Sequence, residues 1–171
     1  YSDGTVDTSN IDLNRGVNFD LGGAGSAGSG QAIYIEADKP IVANSQADGD
    51  GSESVSFMSI EDLSHEYILP TDAEYVAIAT LYDAQQVDVT DPDGTPTLQS
   101  QTSSFSAGAS TAKLLFNTGT YSAGTKVTSD KPFFVYYEHN GQDETNVFSS
   151  KQARKFVESP ASVSLGSEVN Y

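Results

Sequence analysis

The chain of 171 residues contains no cysteine, no tryptophan and only two histidines. Without cysteine it has no disulfide, no zinc finger and no thiol nucleophile. Cations are also scarce, because 8 lysines and arginines face 24 acidic residues and leave a net charge of -16 at pH 7. A surface this acidic lacks the basic stripe that binds nucleic acid or anionic lipid, so we expect neither nucleic acid nor membrane insertion.

Long apolar runs and sustained helical periodicity are missing as well. No run approaches the roughly 20 apolar residues that cross a bilayer. Turn-forming residues recur about every 8–12 positions, which is the spacing of short strands in an all-β domain. The pattern predicts an all-β, antiparallel β-sandwich, immunoglobulin-like or jelly-roll-like, with one or two short helices.

The strands are predicted from apolar segments between turn signals. Segment 75–82 (YVAIATLY) is apolar on both faces, as expected of a central strand, and we expect a core built on this segment with residues 112–116 and 133–137. Short helical turns are predicted at residues 59–65 and 150–157. The remaining predicted strands are residues 32–36, 41–44, 67–69, 87–89 and 125–128.

The tripeptide Asp-Lys-Pro occurs twice, at residues 38–40 and 130–132. Each copy lies between two apolar segments, and proline presets the backbone for a turn. The repeat predicts two related hairpins at opposite ends of one sandwich.

The two ends of the chain carry further alternating segments, at residues 11–21 and 162–171. A Gly/Ser-rich stretch at residues 22–30 cannot pack a core, so we divide the chain into an N-terminal strand with its tether (1–30) and one sandwich domain (31–171). A half-apolar strand is costly in water, and each end segment should pair with an open sheet edge of its own chain or of the next subunit. Because the chain begins at Tyr1, we expect a processed piece of a longer protein.

Catalytic patterns are weak. His65 and His139 are the only histidines for a serine triad, and the one Gly/Ser tract is too flexible to hold a nucleophile. Glu36, Glu138 and Glu144 are candidate glycosidase acids, but solvated carboxylates in loops and at strand edges explain them better. We therefore expect a protein without enzymatic activity.

The best site in the sequence is an acidic, glycine-bent segment, DGDGSE, at residues 48–53. Its hard oxygen ligands, supplied by Asp48, Asp50, Ser52 and Glu53, suit Ca²⁺. The spacing departs from an EF-hand, and aspartate with glycine is also an ordinary turn composition, so both interpretations stay open.

Four aromatic residues fall within one predicted strand, at residues 133–137 (FFVYY). Alternation places Phe133, Val135 and Tyr137 on one face and Phe134 and Tyr136 on the other. The first face is predicted to be core. The second faces either core, a neighbouring subunit or a ligand.

The segments EYILP (residues 66–70), VDVTDPDGT (87–95) and AGTKVTSDKPFFVYYEH (123–139) resemble the β-sandwich repeats of IgGFc-binding-type surface proteins, adhesins and virion fibre proteins. The resemblance spans about residues 30–140. It implies a tandem module that displays loops or packs against neighbours, with no catalytic residues. The lack of cysteine departs from the animal members and points to a microbial or phage source.

From these observations we expect a structural or adhesive module of an extracellular filament, cell surface or virion surface, such as a fibre, tail or decoration protein. Its partners would be copies of itself or neighbouring subunits. The alternative is a calcium-dependent carbohydrate-binding domain whose partner is a host-surface glycan.

Overall fold

The computed structural model describes residues 1–2, 4, 32–46, 54–93, 96–139, 143–147 and 149, and most regular structure there is antiparallel sheet. One turn of 3₁₀ helix, Ile60–Asp62, interrupts the strands, with Ser59 as its N-cap. The all-β, antiparallel prediction is confirmed. The strands are β1 (Asn44–Gln46), β2 (Ser54–Ser56), β3 (Ser64–Ile68), β4 (Tyr75–Thr80), β5 (Gln86–Thr90), β6 (Thr97–Thr102), β7 (Ala112–Phe116), β8 (Lys126–His139) and β9 (Asp143–Asn146).

Strand β8 organises the sheet because it has neighbours along both sides and over its whole length. Its first part pairs with β5 on one side and β3 on the other, and its second part pairs with β4 and β9. Strand β6 extends β5, and β7 extends β4. The sheet therefore has a first layer (β6, β5, the start of β8, β3) and a second layer (β7, β4, the end of β8, β9), continuous through β8.

The inner faces of the two layers form one hydrophobic core. Val87, Val89 and Val127 come from the first layer, Val76 from the second and Phe133 from the bend of β8 between them, all with no exposed surface. The Tyr67 ring packs edge-on against Phe133, with 5.0 Å between ring centroids. The core predicted on segments 75–82, 112–116 and 133–137 is confirmed, since Ile78, Leu114, Phe116, Val135 and Tyr137 are also buried.

The two layers meet at a crease, where β8 bends between Ser129 and Phe134. The buried side chain of Gln85 stabilises this crease. Its amide nitrogen donates to Ser129 Oγ and to the Lys131 carbonyl, both at 2.7 Å. Its amide oxygen accepts from the Thr80 hydroxyl. Its backbone N–H donates to Ser103 Oγ at 2.9 Å. One side chain thus joins the end of β4 to the bend of β8, while its backbone contacts the residue that follows β6.

The bend of β8 corrects the predicted hairpin at residues 130–132. The chain does not turn back there but continues as one strand from Lys126 to His139. Pairing with β5 ends at Ser129, and pairing with β4 begins at Phe134. Pro132, which has no N–H to donate, falls in this gap, where neither β4 nor β5 requires a donor.

The first Asp-Lys-Pro copy does not form a hairpin either. Residues 32–37 and 41–43 are not strand, and β1 begins only at Asn44. Ile41 is 47% exposed and Val42 is fully exposed, so no sheet partner covers them. The predicted helical turn at residues 59–65 is shorter than expected, because Leu63 is extended and His65 belongs to β3.

The first residues of the chain are anchored on the sandwich beside Ala32. Ser2 N–H donates to the Ala32 carbonyl at 2.9 Å, and Ala32 N–H donates to Ser2 Oγ at 3.0 Å. Gly4 has a positive φ and lies so near Ala107 that a Cβ would come within 2.3 Å of its carbonyl oxygen. Ser2 and Ala32, although 30 positions apart in the sequence, therefore lie side by side on the body. The predicted elements at residues 11–21, 22–30, 150–157 and 162–171 lie outside the described residues.

Candidate interaction surfaces

The predicted calcium ligands Asp48, Asp50, Ser52 and Glu53 lie outside the described residues. The strands that flank them are described, and β1 pairs antiparallel with β2, from Asn44 opposite Ser56 to Gln46 opposite Ser54. The two ends of the acidic segment are thus held side by side. Elsewhere in the described chain, no three acidic or histidine side chains converge as metal ligands.

The candidate catalytic residues are scattered. His65 is exposed on β3, whereas His139 lies at the end of β8 with its Nδ1 2.7 Å from the Asp72 carbonyl. Glu36 is exposed in an irregular segment, while the register places Glu138 opposite Glu144. A cavity of about 200 Å³ beside His139 is lined by Asp72, Ala73, Glu74 and Thr120. It is smaller than most small-molecule sites.

The outer face of the first layer is polar. The outward residues of β5 and of the start of β8 are Gln86, Asp88, Thr90, Lys126 and Thr128, and the register joins them in rows across the sheet. The Asp88 carboxylate accepts from Ser100 Oγ at 2.6 Å. Such a face is stable in water without a partner.

The outer face of the second layer has the opposite character, and we call it the aromatic face. Ala77 lies between Leu115 and Tyr136, and Ala79 lies between Lys113 and Phe134. The Tyr75 and Tyr136 rings meet edge-on at 6.3 Å, with 86° between their planes. The predicted split of segment 133–137 is confirmed, because Phe133, Val135 and Tyr137 are buried and Phe134 and Tyr136 are half-buried on this outer face.

Two charges of opposite sign border the aromatic face. Lys113 stands on β7 beside Ala79, and burial lowers the pKa of its ammonium. Among the described residues, the Lys113 ammonium has no hydrogen-bond or ion-pair partner. Glu138 stands at the diagonally opposite corner, opposite Tyr75. Burial, and secondly the Glu138 charge, raise the pKa of Tyr136.

Side-chain amides occupy three of the four outer edges of the layers. Gln101 on β6 donates to the Leu115 carbonyl of β7 at 2.6 Å, and Gln99 donates to Thr118 Oγ1. On β9, Asn146 accepts from the Ser56 N–H and donates to the Ser56 carbonyl, both at 2.8 Å. These bonds tie β6 to β7 and β9 to β2, which protects edges that would otherwise add a foreign strand.

The fourth edge belongs to β3, which pairs only with β8 in the described part of the chain. The Leu69 N–H donates toward β8, to the Thr125 carbonyl at 2.9 Å. Because backbone groups alternate sides along an antiparallel strand, the N–H groups of Ile68 and Glu66 point away from β8, and that of Glu66 donates to Ser64 Oγ at 3.4 Å. Ile68 is 48% exposed. The outer edge of β3 thus offers backbone groups beside an apolar side chain.

Sequence reasoning missed part of both surfaces. It identified Phe134 and Tyr136 by alternation but not Lys113 or Leu115, whose place beside them depends on the β4–β7 and β4–β8 pairings. It also missed β6, although the turn at residues 91–94 signals a returning strand. No protein-family model, curated protein or solved structure matches the chain.

Proposed function

We propose that this protein is a non-enzymatic structural or adhesive module of an extracellular filament, cell surface or virion surface, joined to copies of itself or to neighbouring subunits by strand addition. The open edge of β3 carries this proposal. It presents the outward N–H of Ile68, whereas the other outer edges of the two layers, β6, β7 and β9, are tied by side-chain amides.

Strand addition joins an extended segment to such an edge through backbone hydrogen bonds, and side chains at alternate positions give specificity. Ile68 supplies an apolar contact at this edge. The natural donor is segment 11–21, whose apolar residues alternate with polar ones. Ser2 and Ala32, the described residues on either side of it, are bonded to each other and fixed on the body. The six residues 5–10, which follow the anchored Gly4, reach about 20 Å when extended, enough to meet a neighbouring molecule.

A pair of substitutions at one position tests the edge. Ile68→Pro removes the outward N–H without removing a bond to β8, and Ile68→Thr keeps the N–H and the strand preference as the matched control. Light scattering and electron microscopy of the full chain should show assembly for the parent and for Ile68→Thr, and only folded monomer for Ile68→Pro. Equal assembly of both variants would exclude the β3 edge as the site of strand addition.

The donor is tested by replacing residues 5–29 with a Gly/Ser linker that retains Tyr1, Ser2 and Ala32. We expect a folded monomer that no longer assembles and that still accepts a synthetic peptide of residues 11–21. If this variant unfolds, the segment belongs to its own core and strand exchange is wrong.

A calcium-dependent carbohydrate-binding domain is the second candidate. The observation in its favour is the β1–β2 pairing, which holds the ends of the acidic segment side by side. A glycan array with and without chelator discriminates the two, because metal-dependent binding to a defined sugar would replace the structural proposal.

A further inference from the structure

The ribbon formed by β1 and β2 lies beside β9 and has one side that no described strand covers. On the β9 side, Asn146 bonds both the N–H and the carbonyl of Ser56, so that side of β2 is occupied. On the other side is β1, whose only strand partner in the described residues is β2. The outer edge of β1 is therefore open, and strand addition at β3 does not involve it.

The hydrogen bonds of the ribbon show which backbone groups of β1 face outward. Phe57 N–H donates to the Ala43 carbonyl at 3.0 Å, so this group of Ala43 faces β2. Because backbone groups alternate sides along an antiparallel strand, the N–H and carbonyl of Asn44 face away from β2. The register agrees, since Ser56, directly opposite Asn44, also turns its N–H and carbonyl away from the ribbon, toward Asn146.

The same alternation extends the open edge to Val42 and Gln46, on either side of Asn44. Each of the three residues presents one N–H donor and one carbonyl acceptor, and no other described backbone group pairs with them. The Val42 side chain is fully exposed, and Asn44 is exposed as well. An edge with a row of unpaired backbone groups is a template for another strand.

We propose that the outer edge of β1 pairs antiparallel with the same edge of a second copy of this chain, about a two-fold axis that sets Asn44 of one copy against Asn44 of the other. The two ribbons then form one four-stranded sheet.

The backbone favours an axis at Asn44 over the neighbouring positions. With this axis Val42 of each copy lies opposite Gln46 of the other, and three hydrogen-bonded pairs exchange two bonds each, about six in all. An axis at Val42 would set Asn44 opposite Pro40, which has no N–H to donate. An axis at Gln46 would set Asn44 opposite Asp48 and bring a carboxylate from each copy to the shared edge.

The composition of the edge suits a second copy as the partner. Residues 40–46 (PIVANSQ) carry no charge, in a chain whose net charge is -16. Two copies therefore repel each other least where these segments meet. A residue on a two-fold axis meets its own counterpart, so a charged residue there would be repelled. The side-chain amide of Asn44 both donates and accepts, and it can therefore bond to the same amide of the second copy.

The length of the edge sets the expected strength of the contact. Five residues at about 3.4 Å each give a shared edge of about 17 Å, the length of one short strand. Two strands that meet edge to edge bury much less than the roughly 800 Å² per partner of a stable complex, so the dimer should form only in concentrated protein. Neighbours already held by strand addition have a high effective concentration, which allows the contact to form.

Charge substitutions at the axis test both the edge and its register. The full chain carries Ile68→Pro to suppress strand addition, and sedimentation velocity up to millimolar protein measures dimerisation. Asn44→Asp alone and Asn44→Lys alone should each weaken dimerisation by at least about tenfold, because like charges then face each other across the axis. An equimolar mixture of the two variants should dimerise again, since opposite charges then meet.

Thr102→Asp and Thr102→Lys are the matched controls for net charge, because Thr102 is exposed on β6, away from the ribbon. Both should dimerise like the background. Amide hydrogen exchange reads the strand pattern directly: as protein concentration rises, the N–H groups of Val42 and Asn44 should become protected, whereas that of Ser45, which faces β2, should change less. If Ile68→Pro does not fold, the variant with a Gly/Ser linker in place of residues 5–29 is the background.

Three results would overturn this inference: a background protein that stays monomeric at millimolar concentration, single charge variants that dimerise like the background, or a mixture that fails to recover. In the last case the β1 edge accepts a different segment, such as residues 11–21, rather than its own copy. Strand addition is tested separately at Ile68 in dilute protein, so either proposal can fail without the other.

Discussion

Tyr67 shows how one buried polar group joins the two layers. Its hydroxyl donates to the Phe133 carbonyl at 2.5 Å and accepts from the Ser64 N–H at 3.0 Å, while its ring packs on Phe133. Burial raises the pKa of this phenol to about 12, partly offset by the hydrogen bond from Ser64. The folded protein therefore holds the neutral phenol more strongly than the unfolded chain does.

This difference makes stability depend on alkaline pH. A group whose pKa is higher in the folded state contributes its full stabilisation of the fold at pH values below its unfolded pKa, here near 10. That contribution is lost as the pH rises toward the folded pKa of about 12. We expect the urea midpoint to fall between about pH 10 and pH 12, the unfolded and folded pKa values of Tyr67, and to fall less steeply in Tyr67→Phe. At pH 7 that variant should be less stable by about 1–3 kcal/mol, because its buried partners lose a bond.

Tyr34→Phe is the matched control, because Tyr34 is 39% exposed. The urea midpoint of Tyr34→Phe should change with pH in the same way as that of the parent protein. If Tyr67→Phe keeps the full alkaline slope, the titration that destabilises the fold lies elsewhere, with Tyr121 and Tyr136 as the next groups whose pKa burial raises.

At the scale of elements, the crease is the feature on which both layers depend. Gln85 joins Thr80, Ser129 and the Lys131 carbonyl, and its N–H is held by Ser103. Ala84, just before it, has φ of 53°, a conformation that a non-glycine residue adopts only where its surroundings fix it. The crease is thus set by side-chain bonds rather than by the sheet ladder.

Replacing Gln85 by leucine keeps the volume and removes the bonds. Buried partners left without a bond cost about 1–3 kcal/mol each, so we expect Gln85→Leu to lower the free energy of unfolding by at least about 2 kcal/mol. Gln86→Leu is the control, since Gln86 is exposed and bonds only to Asp88 and nearby groups. Urea denaturation measures both, and equal loss in the two variants would contradict this role of Gln85.

The elements also show where sequence reasoning succeeds and where it ends. Ala112–Phe116 and Tyr75–Thr80 were predictable, because apolar alternation and a doubly apolar segment each reflect burial. The bend at residues 130–132 was not. A hairpin turn and a bend between layers both suit proline, and only the choice of partner strand separates them. Strand β6 was missed because its inward residues, Gln99 and Gln101, are polar and bond to the opposite edge.

At the scale of the whole molecule, the proposed strand addition at β3 is a head-to-tail contact. Such a contact extends without closing, so it predicts a filament rather than a closed oligomer. The net charge of -16 opposes lateral association of these filaments.

The calcium hypothesis also belongs to the whole molecule, because a ligand that binds only the native state stabilises all of it. If the segment with Asp48, Asp50, Ser52 and Glu53 binds Ca²⁺, millimolar calcium should raise the Tm, and Asp50→Asn should remove the increase. Magnesium at equal ionic strength controls for screening of the acidic surface. Equal effects of both ions would leave the segment as an ordinary acidic turn.

The position of β8 along the chain has a consequence for the order of folding. Strands β3, β4 and β5 all pair with β8 but precede it in the sequence. During synthesis these strands remain without β8 for a time on the order of seconds, while the β1–β2, β4–β7 and β5–β6 pairs are able to form. Throughout that interval the side chains of Val76 and Ile78 on β4 have no opposing layer. The edge of β4 that later pairs with β8 is also exposed. The nascent chain is therefore most vulnerable to aggregation just before Lys126 emerges, and a chaperone that binds extended apolar segments would act in that interval.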